Sequence, residues 1–146
     1  MRHIVAELVK DGWGRYVPRM SCLREDGSTD VLCEHTLVDF IAEAYMPDDE
    51  ELDRLLDLAE RDGYTPSTTD AVHYGINEKS LWCRPPEALP GHVSISNEYS
   101  GAVPGPQQFT FDQFRTVLRH WREFQKLLAR EGPDKLAGRR FEVTIP

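Results

Sequence analysis

The sequence predicts an α+β fold, a single domain over residues 1–146 in which a mostly antiparallel sheet packs on a long C-terminal helix. Short alternations of apolar and polar residues, which are typical of strands, stand in groups before and after a helical region rather than alternating with helices. Residues 111–128 repeat their apolar positions with helical spacing, and they are long enough to cover a sheet of about five or six short strands. With 146 residues, 40% of them hydrophobic, the chain has the size and composition of one globular domain.

The N-terminal part is predicted to form strands and tight turns. Residues 4–10 are apolar and rich in branched side chains, which favours a strand, and residues 11–14 contain two glycines, which favours a turn. Residues 16–24 and 29–34 are expected to pair as a hairpin, because the Asp26-Gly27 pair between them is typical of tight turns.

Two helices are predicted to follow this hairpin and to cover a further side of the sheet. Thr36 is expected to cap the first helix, with Asp39 at the reciprocal capping-box position. Pro47 ends this helix, because its ring disfavours α geometry in the preceding residue. The second helix is expected to begin at Asp48 and to end at Gly63, a residue that readily adopts the left-handed conformation found at helix ends.

The second half of the chain is predicted to hold short strands and the longest helix. The strands are expected over residues 72–76, 81–84, 92–99 and 141–145. Residues 100–108, which contain two glycines and two prolines, are expected to form an irregular loop. Thr110 and Gln113 form a capping box at the start of the long helix, and Gly132-Pro133 ends it.

Composition excludes several classes of protein. The three cysteines, Cys22, Cys33 and Cys83, are far apart in sequence, so neither a disulfide framework nor a CxxC metal clip is indicated. No HxxxH or HExxH pattern occurs, and we expect no cofactor and no metal. The N-terminus lacks a secretory signal, and no stretch approaches the roughly 18 apolar residues of a membrane span, so a cytoplasmic protein that does not bind membranes is expected.

Acidic and basic residues are concentrated in two different predicted helices. Residues 43–62 carry nine acidic residues against two arginines, and residues 115–140 carry eight basic residues against three acidic ones. The acidic flank of the first segment comprises Asp49, Asp53, Asp57 and Glu60. Such a flank steers basic partners, although acidic residues near a helix N-terminus also stabilise the helix itself and keep the chain soluble. Both interpretations stay open.

A second charged surface runs along the long helix. At helical spacing, one narrow basic band contains Arg115, Arg119, Arg122, Lys126 and Arg130. This band is a solvated outer face, a docking edge for the acidic helix of the same chain, or a surface for an anionic partner such as nucleic acid. The net charge of −8 argues against nucleic acid, because such binding depends on basic side chains that neutralise phosphates.

Catalytic patterns are weak. Cys33 and His35 could share one face of a strand and form a thiol–imidazole nucleophile, and His73 or His92 with an acidic residue could act in acid–base catalysis. A small cytosolic enzyme is therefore one alternative function, and a nucleic-acid adaptor that uses the basic band is another. A binding protein is favoured over both, with Trp13 or Tyr64 as interface anchors, because Trp and Tyr are enriched at interfaces.

The C-terminal part is similar to a known class of proteins. The residues concerned are the strand 92–96, the Gly/Pro loop after it, Phe109-Thr110-Phe111-Asp112-Gln113-Phe114, and then Val117, Leu118, Trp121 and Phe124. This order resembles the strand, loop and helix of several bacterial immunity proteins from polymorphic-toxin and contact-dependent growth-inhibition systems. The resemblance implies an acidic cytoplasmic protein that neutralises one cognate toxin or effector, often a basic nuclease domain, by masking its active surface. No catalytic residue is implied.

Overall fold

The computed structural model describes residues 1–43, 54, 57, 73–76, 79–83 and 85–146. It confirms the α+β class. The strands are β1 (Arg2–Lys10), β2 (Tyr16–Leu23), β3 (His73–Ile76), β4 (Lys79–Trp82), β5 (His92–Asn97), β6 (Gln107–Thr110) and β7 (Arg140–Ile145). The helices are α1 (Val31–Cys33), a π-helical turn (Glu34–Val38), α2 (Asp39–Glu43), α3 (Phe111–Glu131) and α4 (Pro133–Leu136).

The strands form two antiparallel sheets where the sequence predicted one. The first sheet has the order β2-β1-β7 and the second has the order β3-β4-β5-β6. The second sheet joins strands that follow one another along the chain. The first sheet depends on pairing between the two ends of the chain, with Val5 of β1 opposite Glu142 of β7. The strands are therefore divided into two sheets by the pairing of β1 with β7, a long-range contact that local sequence patterns cannot predict.

The predicted hairpin between residues 16–24 and 29–34 is wrong. Strand β2 instead pairs with β1 across the turn at residues 11–15, and only an isolated bridge joins Leu23 to Thr29. The physical reason is Asp30, whose Oδ1 accepts a hydrogen bond from the Cys33 N–H at 3.2 Å and starts a helix at Val31. Residues 31–34, which make up most of the predicted second strand, are therefore helical.

Thr36 does not begin the first helix, as the sequence predicted, but lies inside it. Its side chain is buried, and its hydroxyl donates to the Leu32 carbonyl at 2.5 Å, one turn back along the same helix. A threonine hydroxyl has this second option in addition to capping. Most of the predicted second helix lies outside the described residues, although Arg54 and Asp57 are helical.

Helix α3 is the best-predicted element. The Thr110 hydroxyl accepts from the Gln113 N–H at 3.0 Å, and the Gln113 side chain accepts from the Thr110 N–H at 2.8 Å, so the capping box is confirmed. Its buried residues are Phe111, Phe114, Val117, Leu118, Trp121 and Phe124. They join one hydrophobic core with the inner residues of both sheets and of the helix before Glu43.

The other strands lie close to their predicted places. Gln107 and Gln108, which were predicted to be in the loop, belong to β6 and pair with Ile95 and Ser94 of β5. Within the described part of the chain, no helix combines the length and the apolar character needed to cross a membrane.

Candidate partner-binding site

The turn between β1 and β2 is held by one carboxylate. Asp11 Oδ1 accepts from the Trp13 N–H at 2.8 Å and from the Arg15 N–H at 2.9 Å. Asp11 Oδ2 accepts from Arg15 Nε at 3.1 Å. The Arg15 N–H lowers the pKa of Asp11, so the carboxylate that orders this turn stays charged at neutral pH. Gly14 has a φ of 77°, which suits glycine.

This ordered turn exposes apolar side chains. Trp13 is 83% exposed in the turn, and Tyr16 and Val17 at the start of β2 are 37% and 36% exposed. Lys10 Nζ lies 5.4 Å from the centre of the Tyr16 ring. We call residues 10–19 the hairpin tip. The predicted anchor Trp13 therefore lies in solvent on a preordered turn, whereas Tyr64 lies outside the described residues.

The outer edge of β2 beside the hairpin tip is poorly suited to pairing with another strand. The Cys22 peptide groups point outward, because its N–H donates to Glu34 Oε1 at 3.2 Å and its carbonyl accepts from the Asp30 N–H at 2.9 Å. Along β2 the backbone N–H and carbonyl groups point away from β1 at every second residue, and Pro18 is one of the residues at these positions. Proline has no N–H to donate there. Recognition at the hairpin tip therefore depends on side chains.

The acidic and basic helices meet at one place within the described residues. Arg115 Nη2 donates to Asp57 Oδ1 at 3.0 Å, with the Asp57 side chain 69% exposed. The Arg115 guanidinium also lies 5.9 Å from the centre of the Phe111 ring. At this point the basic band serves as a docking edge for the chain's own acidic segment. Such an exposed pair contributes only about 0–1 kcal/mol to stability. The other members of the acidic flank, Asp49, Asp53 and Glu60, lie outside the described residues.

The rest of the basic band lies on the outer side of α3. Arg119, Lys126 and Arg130 are exposed, whereas Arg122 is half-buried. A shallow depression of about 350 Å³ lies among Arg115, Leu118, Arg119, Arg122, Glu123 and Lys126. This face is basic but open, and Glu123 interrupts it.

The Cys33–His35 nucleophile predicted as an alternative lacks its thiolate. The neighbouring Cys22 thiol and burial raise the pKa of Cys33, so its sulfur stays protonated and unreactive. The His35 ring is engaged elsewhere, with Nδ1 3.0 Å from Ser100 Oγ. His92 Nδ1 lies 2.9 Å from the Pro90 carbonyl oxygen, and the side chain of His73 lies outside the described set. The residues described here contain no group of three metal-ligating side chains.

A polar network around Asn97 was missed by the sequence interpretation. Asn97 Nδ2 donates to the His35 carbonyl at 2.6 Å, and Asn97 Oδ1 accepts from the N–H groups of Tyr99 and Ser100 at 3.0 and 3.2 Å. Ser100 Oγ also accepts from the Ala102 N–H at 3.3 Å. These bonds fasten the loop after β5 to the first helix, which gives the Ser100–His35 contact a structural role. The available signal was an amide on the same face of the strand as the apolar residues Val93 and Ile95.

No protein-family model matches the chain, no curated protein matches it, and no solved structure matches it.

Proposed function

We propose that this chain is a protein-binding inhibitor of the immunity-protein type, which neutralises a cognate toxin or effector in the bacterial cytoplasm by masking its active surface. The single observation that carries the proposal is Trp13, 83% exposed on a turn that three hydrogen bonds to Asp11 hold in place. Exposure of such a large apolar side chain to water is unfavourable, and its burial in a partner's pocket is favourable.

The fixed backbone conformation of the turn also favours Trp13 as an anchor. A mobile loop loses conformational freedom when a partner binds it, and each immobilised side chain costs about 0.5–1.5 kcal/mol. The Asp11 bonds fix the backbone around Trp13 before any encounter. More of the free energy gained by burying the indole is therefore available for affinity.

Charge supports the choice of a basic partner, such as a nuclease domain. The chain carries a net charge of −8, and complementary charge accelerates encounter and rejects wrong partners. Because Asp57 is bonded to Arg115, we assign steering to Asp49, Asp53 and Glu60, with Asp57 in a secondary role. The basic band then lies away from the interface or contacts acidic groups of the partner.

The proposal is tested by affinity purification of the tagged chain from extracts of the cells that encode it. We expect one protein to be retained in stoichiometric amount by the wild type and by a Tyr99→Ala variant, and to be lost from a Trp13→Ala variant. Tyr99 is the matched control because it is 81% exposed on a different loop. Failure to retain any partner, or equal retention by both variants, contradicts the proposal.

The acidic flank provides a kinetic prediction for the same complex. Changing Asp49 and Asp53 to Asn and Glu60 to Gln removes three negative charges without changing side-chain size much. We expect the association rate constant to fall on the order of tenfold at low salt, and its dependence on salt to become shallower. Stopped-flow mixing at several salt concentrations measures both quantities. Unchanged values would show that the flank is only solvated.

A further inference from the structure

The hairpin tip projects from the body of the protein. Every residue from 12 to 19 is exposed, whereas Met20 and Cys22, further along the same strand, are buried. Because neighbouring residues of a strand point to opposite faces of a sheet, the exposure of residues 16–19 means that both faces of β2 are uncovered there. The tip is therefore a protrusion, and it fits a concave surface of a partner better than a flat one.

The hairpin tip is positively charged, although the chain as a whole is acidic. It contains the three basic residues Lys10, Arg15 and Arg19 and the one acidic residue Asp11, which gives a net charge of +2, whereas the whole chain has a net charge of −8. All three basic residues are exposed. A local reversal of charge of this kind attracts anionic groups to the tip.

Lys10 is the basic residue of the tip whose charge the described residues leave unpaired. Arg15 Nε donates to Asp11 Oδ2 at 3.1 Å, and Arg19 lies directly opposite Glu7 in the pairing of β1 with β2. Each of these arginines therefore has an acidic neighbour that offsets its charge. Among the residues that the structure describes, none forms an ion pair with Lys10. Its ammonium group is available to a carboxylate of a partner.

Lys10 adjoins the exposed aromatic side chains of the tip. Lys10 and Tyr16 are paired across the two strands, and the Lys10 Nζ lies 5.4 Å from the centre of the Tyr16 ring. Trp13 lies on the turn between them. A partner that buries these rings also withdraws the ammonium group from water, and a charge buried in this way needs an opposite charge beside it. The tip therefore suits a recess that has apolar walls and a carboxylate within reach of Lys10.

We propose that the hairpin tip occupies an acidic recess of its protein partner, in which Trp13 and Tyr16 pack against apolar side chains and the Lys10 ammonium donates to an aspartate or a glutamate. The inference rests on the proposed function for the partner being a protein. That partner is then basic where it faces the acidic flank and acidic within the recess. Active sites are commonly concave, so a protrusion seated in such a recess blocks access to it. A nucleic acid fits less well, because the net charge of −8 repels a chain of phosphates.

Carbodiimide cross-linking tests this contact directly, because the reagent joins an amine to a carboxylate only where the two groups touch. The complex of the whole chain with the captured partner is cross-linked, digested and analysed by mass spectrometry. We expect a peptide pair that joins Lys10 to an aspartate or glutamate of the partner. Lys10→Arg keeps the charge but removes the amine, and it is expected to abolish this pair. Lys126→Arg makes the same change on the outer side of α3 and is expected to preserve it.

The contribution of the charge is measured by calorimetric titration with the same partner. Lys10→Met keeps a stem of similar size but removes the charge, and it is expected to weaken binding about tenfold, as the loss of one hydrogen bond to a charged group does. Lys10→Arg is expected to bind as tightly as the wild type. Since Lys10 is exposed, neither change disturbs the core.

Two results overturn the acidic recess and leave the proposed function standing. They are a Trp13-dependent complex without any cross-link from Lys10 to the partner, and a Lys10→Met variant that binds as tightly as the wild type. A complex that dissociates when nucleic acid is digested also overturns the recess, because phosphates would then be the anionic groups. Failure to capture any partner overturns both proposals, so the two failures are distinguishable.

Discussion

Replacing Trp13 with alanine is expected to weaken partner binding by about 30-fold or more, the equivalent of about 2 kcal/mol for a central aromatic anchor. Trp13 is 83% exposed in the isolated chain, so removal of its side chain opens no cavity in the core. The melting temperature is therefore expected to stay unchanged. Isothermal titration calorimetry with the purified partner measures the affinity, and differential scanning calorimetry measures the melting temperature.

The Tyr99→Ala variant is the control for this measurement, because it removes an equally exposed aromatic ring from another loop. Its affinity is expected to equal that of the wild type. A Trp13→Ala variant that binds normally would show that the hairpin tip is not the anchor. A large fall in its melting temperature would show instead that the indole supports the turn.

Replacing Glu43 with alanine is expected to lower the free energy of unfolding by about 2–4 kcal/mol, because it leaves a buried ammonium group without its carboxylate. Lys79 Nζ donates to both Glu43 oxygens, at 2.9 and 2.8 Å, and the Lys79 side chain is only 6% exposed. The expected loss in the free energy of unfolding is at the low end for buried ion pairs, because the Glu43 side chain is 36% exposed and partly hydrated.

The reverse substitution is expected to have a much smaller effect. Lys79→Met keeps an apolar stem of similar size in the buried position, and the Glu43 carboxylate that remains is within reach of water. Urea denaturation of both variants measures the asymmetry. Glu25→Ala is the control, since Glu25 forms an exposed ion pair with the N-terminus and should change stability little. Equal losses for Glu43→Ala and Lys79→Met would contradict this account of the pair.

The elements that the sequence predicted correctly are those whose signals are local. Helix α3 has its capping box at Thr110 and Gln113 and its end at Gly132, and each signal involves neighbouring residues. Prediction from local signals failed where two such signals favoured different structures for the same residues. Around residue 30 the Asp-Gly turn favoured a hairpin, while the Asp30 carboxylate favoured a helix start, and the helix formed.

Contacts between residues far apart in the sequence could not be predicted from local sequence patterns. The pairing of β1 with β7 joins the two ends of the chain, and no turn signal links them. In the candidate site, Trp13 was recognisable because glycines flank it. The Asp57–Arg115 contact was one of several alternatives for the two charged segments.

The central proposal is that this chain protects cells by occupying a toxic partner through its hairpin tip, and a growth assay tests it most directly. The captured partner is expressed alone and together with the wild type, Trp13→Ala or Tyr99→Ala. We predict growth arrest by the partner alone, recovery with the wild type and Tyr99→Ala, and no recovery with Trp13→Ala. Full recovery with Trp13→Ala, or a partner whose expression leaves growth unchanged, would contradict the claim.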